Sequence, residues 1–100
     1  MPISAPRIFR HMRDFVSANG DDWANWYVGV AVDPSDRLTD DHNVDIGSDL
    51  WVCSEAFTSE EALLIRGRFV DEHGADWDEA RDEKQGRFVY AYKKASHTKP

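Results

Sequence analysis

The first twenty residues place their apolar side chains at the spacing of one helical face, and polar residues fill the remaining positions. The residues on this face are Ile8, Phe9, Met12, Phe15 and Val16. Asn19 and Gly20 follow, and this pair favours the left-handed backbone that ends helices. The pattern predicts an amphipathic helix over residues 5–18.

Residues 26–32 change to the alternation of a strand and are rich in aromatic and β-branched side chains. One face is bulky and apolar, with Trp26, Val28, Val30 and Val32. The other face carries Tyr27, Gly29 and Ala31. Because its neighbours on this face are small, the phenol of Tyr27 is expected to be uncovered, and we expect this face to form the floor of a site.

Two further helices are predicted from their start signals. Asp33-Pro34 fits an N-cap followed by proline, which begins a short helix that runs toward His42. Thr58-Ser59-Glu60-Glu61 is a capping box. It opens a helix with an apolar face that ends at His73-Gly74.

The remaining elements complete a small mixed fold. Residues 50–57 and 87–93 have the composition of strands, and residues 95–100 have that of a frayed tail. The order is therefore helix, strand, short helix, strand, helix, strand. It predicts one α+β domain over residues 1–100, with a small three-stranded antiparallel sheet flanked by helices.

Composition and charge narrow the range of functions. A chain of 100 residues has room for one domain, and its net charge of −7 repels phosphate backbones and anionic lipids. Contact with DNA or RNA must therefore be local, and no contact with a membrane is expected. The single cysteine, Cys53, cannot form an internal disulfide, and no apolar run approaches membrane-spanning length. We expect a cytoplasmic protein.

A spaced set of polar residues follows the first strand. Tyr27-Val28-Gly29 is followed by the turn Asp33-Pro34 and by Arg37, ten residues after Tyr27. This stretch resembles the second half of the GIY-YIG nuclease signature, which has a histidine soon after the arginine. His42 is one place later than the family's more usual position.

Two later segments extend the resemblance. Ser59-Glu60-Glu61-Ala62 is similar to the family's Glu-Glu-Ala helix. Phe88-Val89-Tyr90 resembles the Gly-Ile-Tyr strand, which in the family precedes the other strand. We therefore expect a rearranged sheet in which residues 87–93 lie antiparallel to residues 26–32 and bring Tyr90 beside Tyr27.

The resemblance implies metal-dependent hydrolysis of nucleic-acid phosphodiesters. In this family tyrosine and histidine position or deprotonate water, arginine holds the phosphate, and a helical glutamate carries a divalent ion. The implied cofactor is Mg²⁺ or Mn²⁺. The implied catalytic residues are Tyr27, Arg37, His42 and Tyr90. The implied substrate contacts are Gly29, Arg37 and Arg66.

One position departs from the family. Arg66 falls four residues after Ala62, where the metal-binding glutamate is expected, and a guanidinium cannot ligate a cation. The match to the Glu-Glu-Ala helix implies that position 66, one helical turn after Ala62, points at the sheet face that holds Tyr27. Glu55, Glu61 and Asp71 are substitutes by residue type, but none has the expected position, so no metal ligand is assigned. Two function classes follow. One is a hydrolase weakened or inactivated by Arg66, and the other is an inactive binding or regulatory module for an anion or a protein partner.

Each candidate also has a purely structural interpretation. Tyr27 and Tyr90 fit amphipathic strand positions with wet hydroxyl groups. Arg37 fits a surface ion pair with a nearby aspartate, and His42 fits a cap at a helix end. The acidic residues 76–83 lack the spacing of a calcium loop and fit a solvated loop.

Overall fold

The structure is a computed structural model that describes residues 2–78 and 84–99. Its helices are α1 (Ala5–Ala18), the short α2 (Pro34–Asp36) and α3 (Ser59–His73). A π-helical turn (Arg37–Asp41) continues α2, and a 3-10 turn (Trp23–Asn25) precedes the first strand. Its strands are β1 (Trp26–Ala31), β2 (Trp51–Glu55) and β3 (Phe88–Lys93). The expected α+β class and the order of elements are confirmed.

The ends of α3 follow from its sequence signals. The side chain of Thr58 accepts a hydrogen bond from the backbone N–H of Glu61 at 3.1 Å, so a donor at the start of the helix has a partner. At the other end, Gly74 has a φ of 76°, a left-handed conformation that costs glycine little. The predicted start and end of this helix are both confirmed.

The three strands form one antiparallel sheet in the order β1-β3-β2. Across β1 and β3, Tyr27 lies opposite Tyr92, and Gly29 lies opposite Tyr90. The predicted antiparallel pairing of these two strands is therefore confirmed. Because directly opposed residues point to the same face, the register brings the three tyrosines of the sheet together.

The two faces of the sheet pack against different partners. On one face, β1 residues such as Val28 pack with Ile8 of α1 and with Ile65 and Phe69 of α3 in the main apolar core. The other face carries Tyr27, Tyr90 and Tyr92. It is covered by Leu38 of the π-helical turn and by Val44. The π-helical turn and the segment after it therefore close the face on which the sequence predicts a site.

The outer edge of β1 is paired over a short stretch. The N–H of Val28 donates to the carbonyl of Asp76, and the N–H of Asp76 donates to the carbonyl of Trp26, each at 2.9 Å. This parallel bridge places Asp76 beside Tyr27. The predicted acidic loop thus begins as an edge contact, and its residues 79–83 lie outside the described residues.

The segment expected to be a frayed tail differs from that expectation. The N–H of Lys99 donates to the carbonyl of His42 at 2.8 Å, and residues 95–98 form a hydrogen-bonded turn. Residues 95–99 therefore fold back on the domain, because their backbone groups find partners there. The longest helix, α3, has 15 residues, and none of the described helices is long and apolar enough to cross a membrane.

Candidate functional site

Four buried aromatic side chains meet under α2, and we call them the tyrosine–histidine cluster: Tyr27, His42, Tyr90 and Tyr92. The ring of Tyr27 lies 4.6 Å from that of His42 and 5.3 Å from that of Tyr92, between centroids. The centroids of His42 and Tyr90 are 5.6 Å apart. The cluster joins β1, β3 and the end of the π-helical turn, so three catalytic candidates from the sequence are together.

The hydrogen bonds of His42 show that its Nδ1 carries a proton. Nδ1 lies 2.7 Å from the carbonyl oxygen of Lys99, and Nε2 lies 2.7 Å from the hydroxyl of Tyr90. Because a carbonyl only accepts, Nδ1 must carry the proton. Burial lowers the pKa of His42, so the imidazole is neutral at pH 7 and Nε2 accepts from the Tyr90 hydroxyl.

Burial keeps the whole cluster uncharged. It lowers the pKa of His42 below its ordinary value of 6.5. It raises the pKa of Tyr27 to about 12 and also raises the pKa values of Tyr90 and Tyr92. At neutral pH the phenols are therefore hydrogen-bond donors rather than bases.

Two cations influence Tyr27. The charges of Arg66 and Arg37 both lower the pKa of Tyr27, while those of Asp78 and Asp76 raise it further. Arg37 forms an ion pair with Asp41 at 3.3 Å, with 19% of its side chain exposed. The surface pair considered from sequence is therefore present, and Arg37 is also close to the cluster.

Gly29 has a different role from the one expected. A Cβ atom at position 29 would lie 2.4 Å from the ring and hydroxyl of Tyr90, so the phenol occupies the space above this glycine. Gly29 and Ala31 are buried, and the open floor expected on this face is absent from the described residues. Gly29 therefore makes room for Tyr90, and its buried position lacks the open surface that we expected for a substrate contact.

Arg66 approaches from the other side of the sheet. Its helix, α3, packs on the apolar face, which corrects the expectation that position 66 points at the face of Tyr27. The guanidinium lies 4.8 Å from the ring centroid of Trp77 and is 9% exposed as a residue. Trp77 follows Asp76, the edge partner of Tyr27. The charge of Arg66 therefore acts on Tyr27 around the edge of β1.

The residues beside Tyr27 do not fit a divalent cation. Among the described residues, no group of three or more His, Cys, Asp and Glu side chains could hold a metal ion. Of the three substitute ligands considered, Glu55 pairs with Arg87 at 3.3 Å, and Asp71 lines a cavity of about 100 Å³ with Arg66. Position 66 therefore offers a guanidinium to this cavity, where Mg²⁺ or Mn²⁺ would require oxygen ligands.

Two members of the site were not selected from the sequence. Tyr92 alternates with Tyr90 along β3, so the strand period places it on this face and was a sufficient signal. The carbonyl of Lys99, by contrast, accepts hydrogen bonds from His42 and Tyr92. A backbone carbonyl has no sequence signature, so this contact was not predictable.

Comparison with known proteins does not assign the chain to a family. No protein-family model matches the chain, and neither a curated protein nor a solved structure matches it. The resemblance to GIY-YIG nucleases therefore rests on the residues quoted above, and the function must be argued from the geometry of the cluster and its two arginines.

Proposed function

We propose that this chain is a binding domain that recognises a phosphate group beside Tyr27 and does not hydrolyse its esters. The observation that carries the proposal is that the positive charges of Arg37 and Arg66 both act on the phenol of Tyr27 and lower its pKa. They approach from elements on opposite sides of the sheet. Guanidinium groups bind phosphate through charge-assisted, geometrically matched hydrogen bonds, and a neutral phenol adds a donor.

The state of the cluster supports binding over hydrolysis. A general base must be free to take a proton from water. His42 instead donates from Nδ1 to Lys99 and accepts at Nε2 from Tyr90. The raised pKa of Tyr27, about 12, also keeps its hydroxyl protonated. These groups suit recognition of an anion.

Charge favours a small ligand. The net charge of −7 opposes the approach of a long polyanion such as DNA or RNA. A single phosphate group brings far less charge, and the carboxylate of Asp41, which forms an ion pair with Arg37, is 53% exposed. We therefore place phosphomonoesters and inorganic phosphate ahead of nucleic acids as ligands.

Metal-dependent nucleic-acid hydrolysis is the second candidate. Its support is the grouping of Tyr27, His42 and Tyr90 in one cluster with Arg37 beside it. Arg66 counts against hydrolysis, because a guanidinium stands where the metal ligand is expected. Plasmid nicking in Mg²⁺ or Mn²⁺ that is lost in Arg37→Ala would favour this candidate over the binding domain.

We also propose a cellular location and a class of partner for this protein. The lone Cys53 suits a reducing compartment, so we place the function in the cytoplasm. A protein partner that presents the phosphate is compatible with the same site. Competition between inorganic phosphate, a phosphopeptide and a short oligonucleotide would rank these ligands.

Calorimetric titration with inorganic phosphate tests the proposal. Arg37→Ala should weaken binding by about 1.5–3 kcal/mol, the usual contribution of a charged hydrogen bond. Arg68→Ala is the matched control, because Arg68 also pairs with an acid one helical turn away, Glu72, at 2.8 Å. Equal affinity of wild type and Arg37→Ala, or an equal loss in the control, would contradict the proposed site.

A further inference from the structure

Residues 95–99, which we call the strap, cross the tyrosine–histidine cluster and are held at both ends. The hydroxyl of Thr98 accepts from the N–H of Ala95 at 2.9 Å and donates to its carbonyl at 3.0 Å, which closes a turn. Within the turn, the side chain of His97 contacts the carboxylate of Asp49 at 2.5 Å. The N–H of Lys99 then donates to the backbone of His42.

The strap ends on a pair of converging donors. Nδ1 of His42 and the hydroxyl of Tyr92 donate to the carbonyl oxygen of Lys99 at 2.7 Å and 2.8 Å. These two donor atoms are 3.2 Å apart. Two donors at this separation can hold one oxygen between them, as they would hold an oxygen of a carboxylate or phosphate.

We propose that the strap is autoinhibitory: the carbonyl of Lys99 occupies the donor pair of His42 and Tyr92, and the strap must lift before an oxyanion can reach that pair. The inference deepens the proposed function, because it describes access to the cluster beside the same arginines. With the strap closed, Tyr92 has no exposed surface and His42 is 4% exposed.

The strap is weakly anchored compared with the sheet beneath it. Residues 95, 96, 97 and 99 are exposed, and only Thr98 is partly buried. Segments that bury little apolar surface open at a smaller cost than the whole domain. β3, in contrast, lies between the other two strands. The strap can therefore open while the sheet and the cluster stay folded.

The experiment uses the full chain and loosens the strap away from the donor pair. Thr98→Val removes the hydroxyl that closes the turn, and Thr98→Ser restores it as the matched control. A double variant adds His97→Ala, which removes the contact with Asp49. The readouts are amide hydrogen exchange at Lys99, nitration of Tyr92 mapped by mass spectrometry, and affinity for inorganic phosphate.

Loosening the strap should speed exchange at Lys99 and nitration of Tyr92. It should also tighten phosphate binding by about threefold or more, since the strap is open, and the donor pair able to bind phosphate, in a larger fraction of the molecules. Thr98→Ser should behave as wild type. Faster exchange at Lys99 with unchanged nitration of Tyr92 would overturn the proposal that the strap covers the donor pair. Unchanged exchange in the double variant would also overturn it.

The two proposals fail in different ways. Faster nitration without phosphate binding by any variant would overturn phosphate recognition and leave the strap as the cover of the cluster. Phosphate binding that depends on Arg37 but is equal with the strap intact and loosened would overturn the autoinhibition and retain the proposed function.

Discussion

Gly29 and Tyr90 lie directly opposite each other on β1 and β3, and the phenol of Tyr90 covers Gly29. The hydroxyl of this phenol also donates to Nε2 of His42 at 2.7 Å. The ring therefore cannot move aside without losing a buried hydrogen bond. A glycine in the middle of a strand, normally unfavourable, is what allows the cluster to form here.

Gly29→Ala should destabilise the domain by about 1–3 kcal/mol, the usual cost of inserting an atom into a filled core. The added Cβ would lie 2.4 Å from the ring of Tyr90. The free energy of unfolding in urea measures the effect. Gly67→Ala is the control, because nothing lies within 4 Å of its added Cβ in α3. It should stabilise the domain by about 0.5–1 kcal/mol. A stabilising Gly29→Ala would contradict the packing described here.

The hydroxyl groups of Tyr90 and Tyr92 should differ in their contribution to stability. Tyr90→Phe leaves Nε2 of His42 buried without its donor, which should cost about 1–3 kcal/mol. Tyr92→Phe should cost less, because the carbonyl of Lys99 keeps its bond from His42. Urea unfolding of both variants measures the difference. A larger loss for Tyr92→Phe would show that the strap, rather than His42, depends most on these hydroxyls.

Stability should fall as the pH drops below about 6.5, because burial lowers the pKa of His42 in the folded protein. The unfolded chain then binds more protons than the folded one, so protonation favours unfolding. The stability that neutral His42 provides is fully present above the pKa of the unfolded chain. It is lost progressively as the pH falls to the lower pKa of the folded protein. Thermal unfolding across this range measures the slope. His42→Gln should flatten it, and an unchanged slope would assign the pH dependence to other groups.

The α+β class and the pairing of β1 with β3 were predictable because both depend on side-chain patterns. The apolar face of α1 repeats at helical spacing, and its predicted bounds, 5–18, match Ala5–Ala18. The tyrosine-bearing face of β3 alternates with period two, which indicated that Tyr90 would lie beside Tyr27. Such patterns record burial, so they survive in the sequence.

The missed features depend on contacts that leave no such pattern. The small residues of β1 were interpreted as an open floor, because the sequence does not show that the ring of Tyr90 fills the space over Gly29. The strap was expected to fray because its residues are polar, yet it is held mainly through backbone groups and exposed side chains. The position of Arg66 depends on which sheet face α3 covers, and the sequence match alone did not distinguish the two faces.

Arg66→Glu tests whether the guanidinium prevents a metal ion from binding in the cavity that Arg66 lines with Asp71 and Trp77. The substitution removes a cation and adds oxygen ligands beside Asp71, which lines the same cavity. Oxygen ligands are what Mg²⁺ and Mn²⁺ prefer, and removing the like charge lifts the electrostatic barrier to a divalent ion. We expect this variant to bind Mn²⁺. Trp77 should report binding by fluorescence quenching, because its ring lies 4.8 Å from the guanidinium in the wild type.

Arg66→Gln is the matched control, since it also removes the charge and the stacking on Trp77 but supplies no carboxylate. It should show no Mn²⁺-dependent quenching, and circular dichroism should show both variants folded. Equal quenching in the two variants would mean that loss of the cation alone admits the ion. A folded Arg66→Glu variant whose fluorescence ignores Mn²⁺ would show that the match between this helix and the nuclease helix does not extend to a metal-binding position.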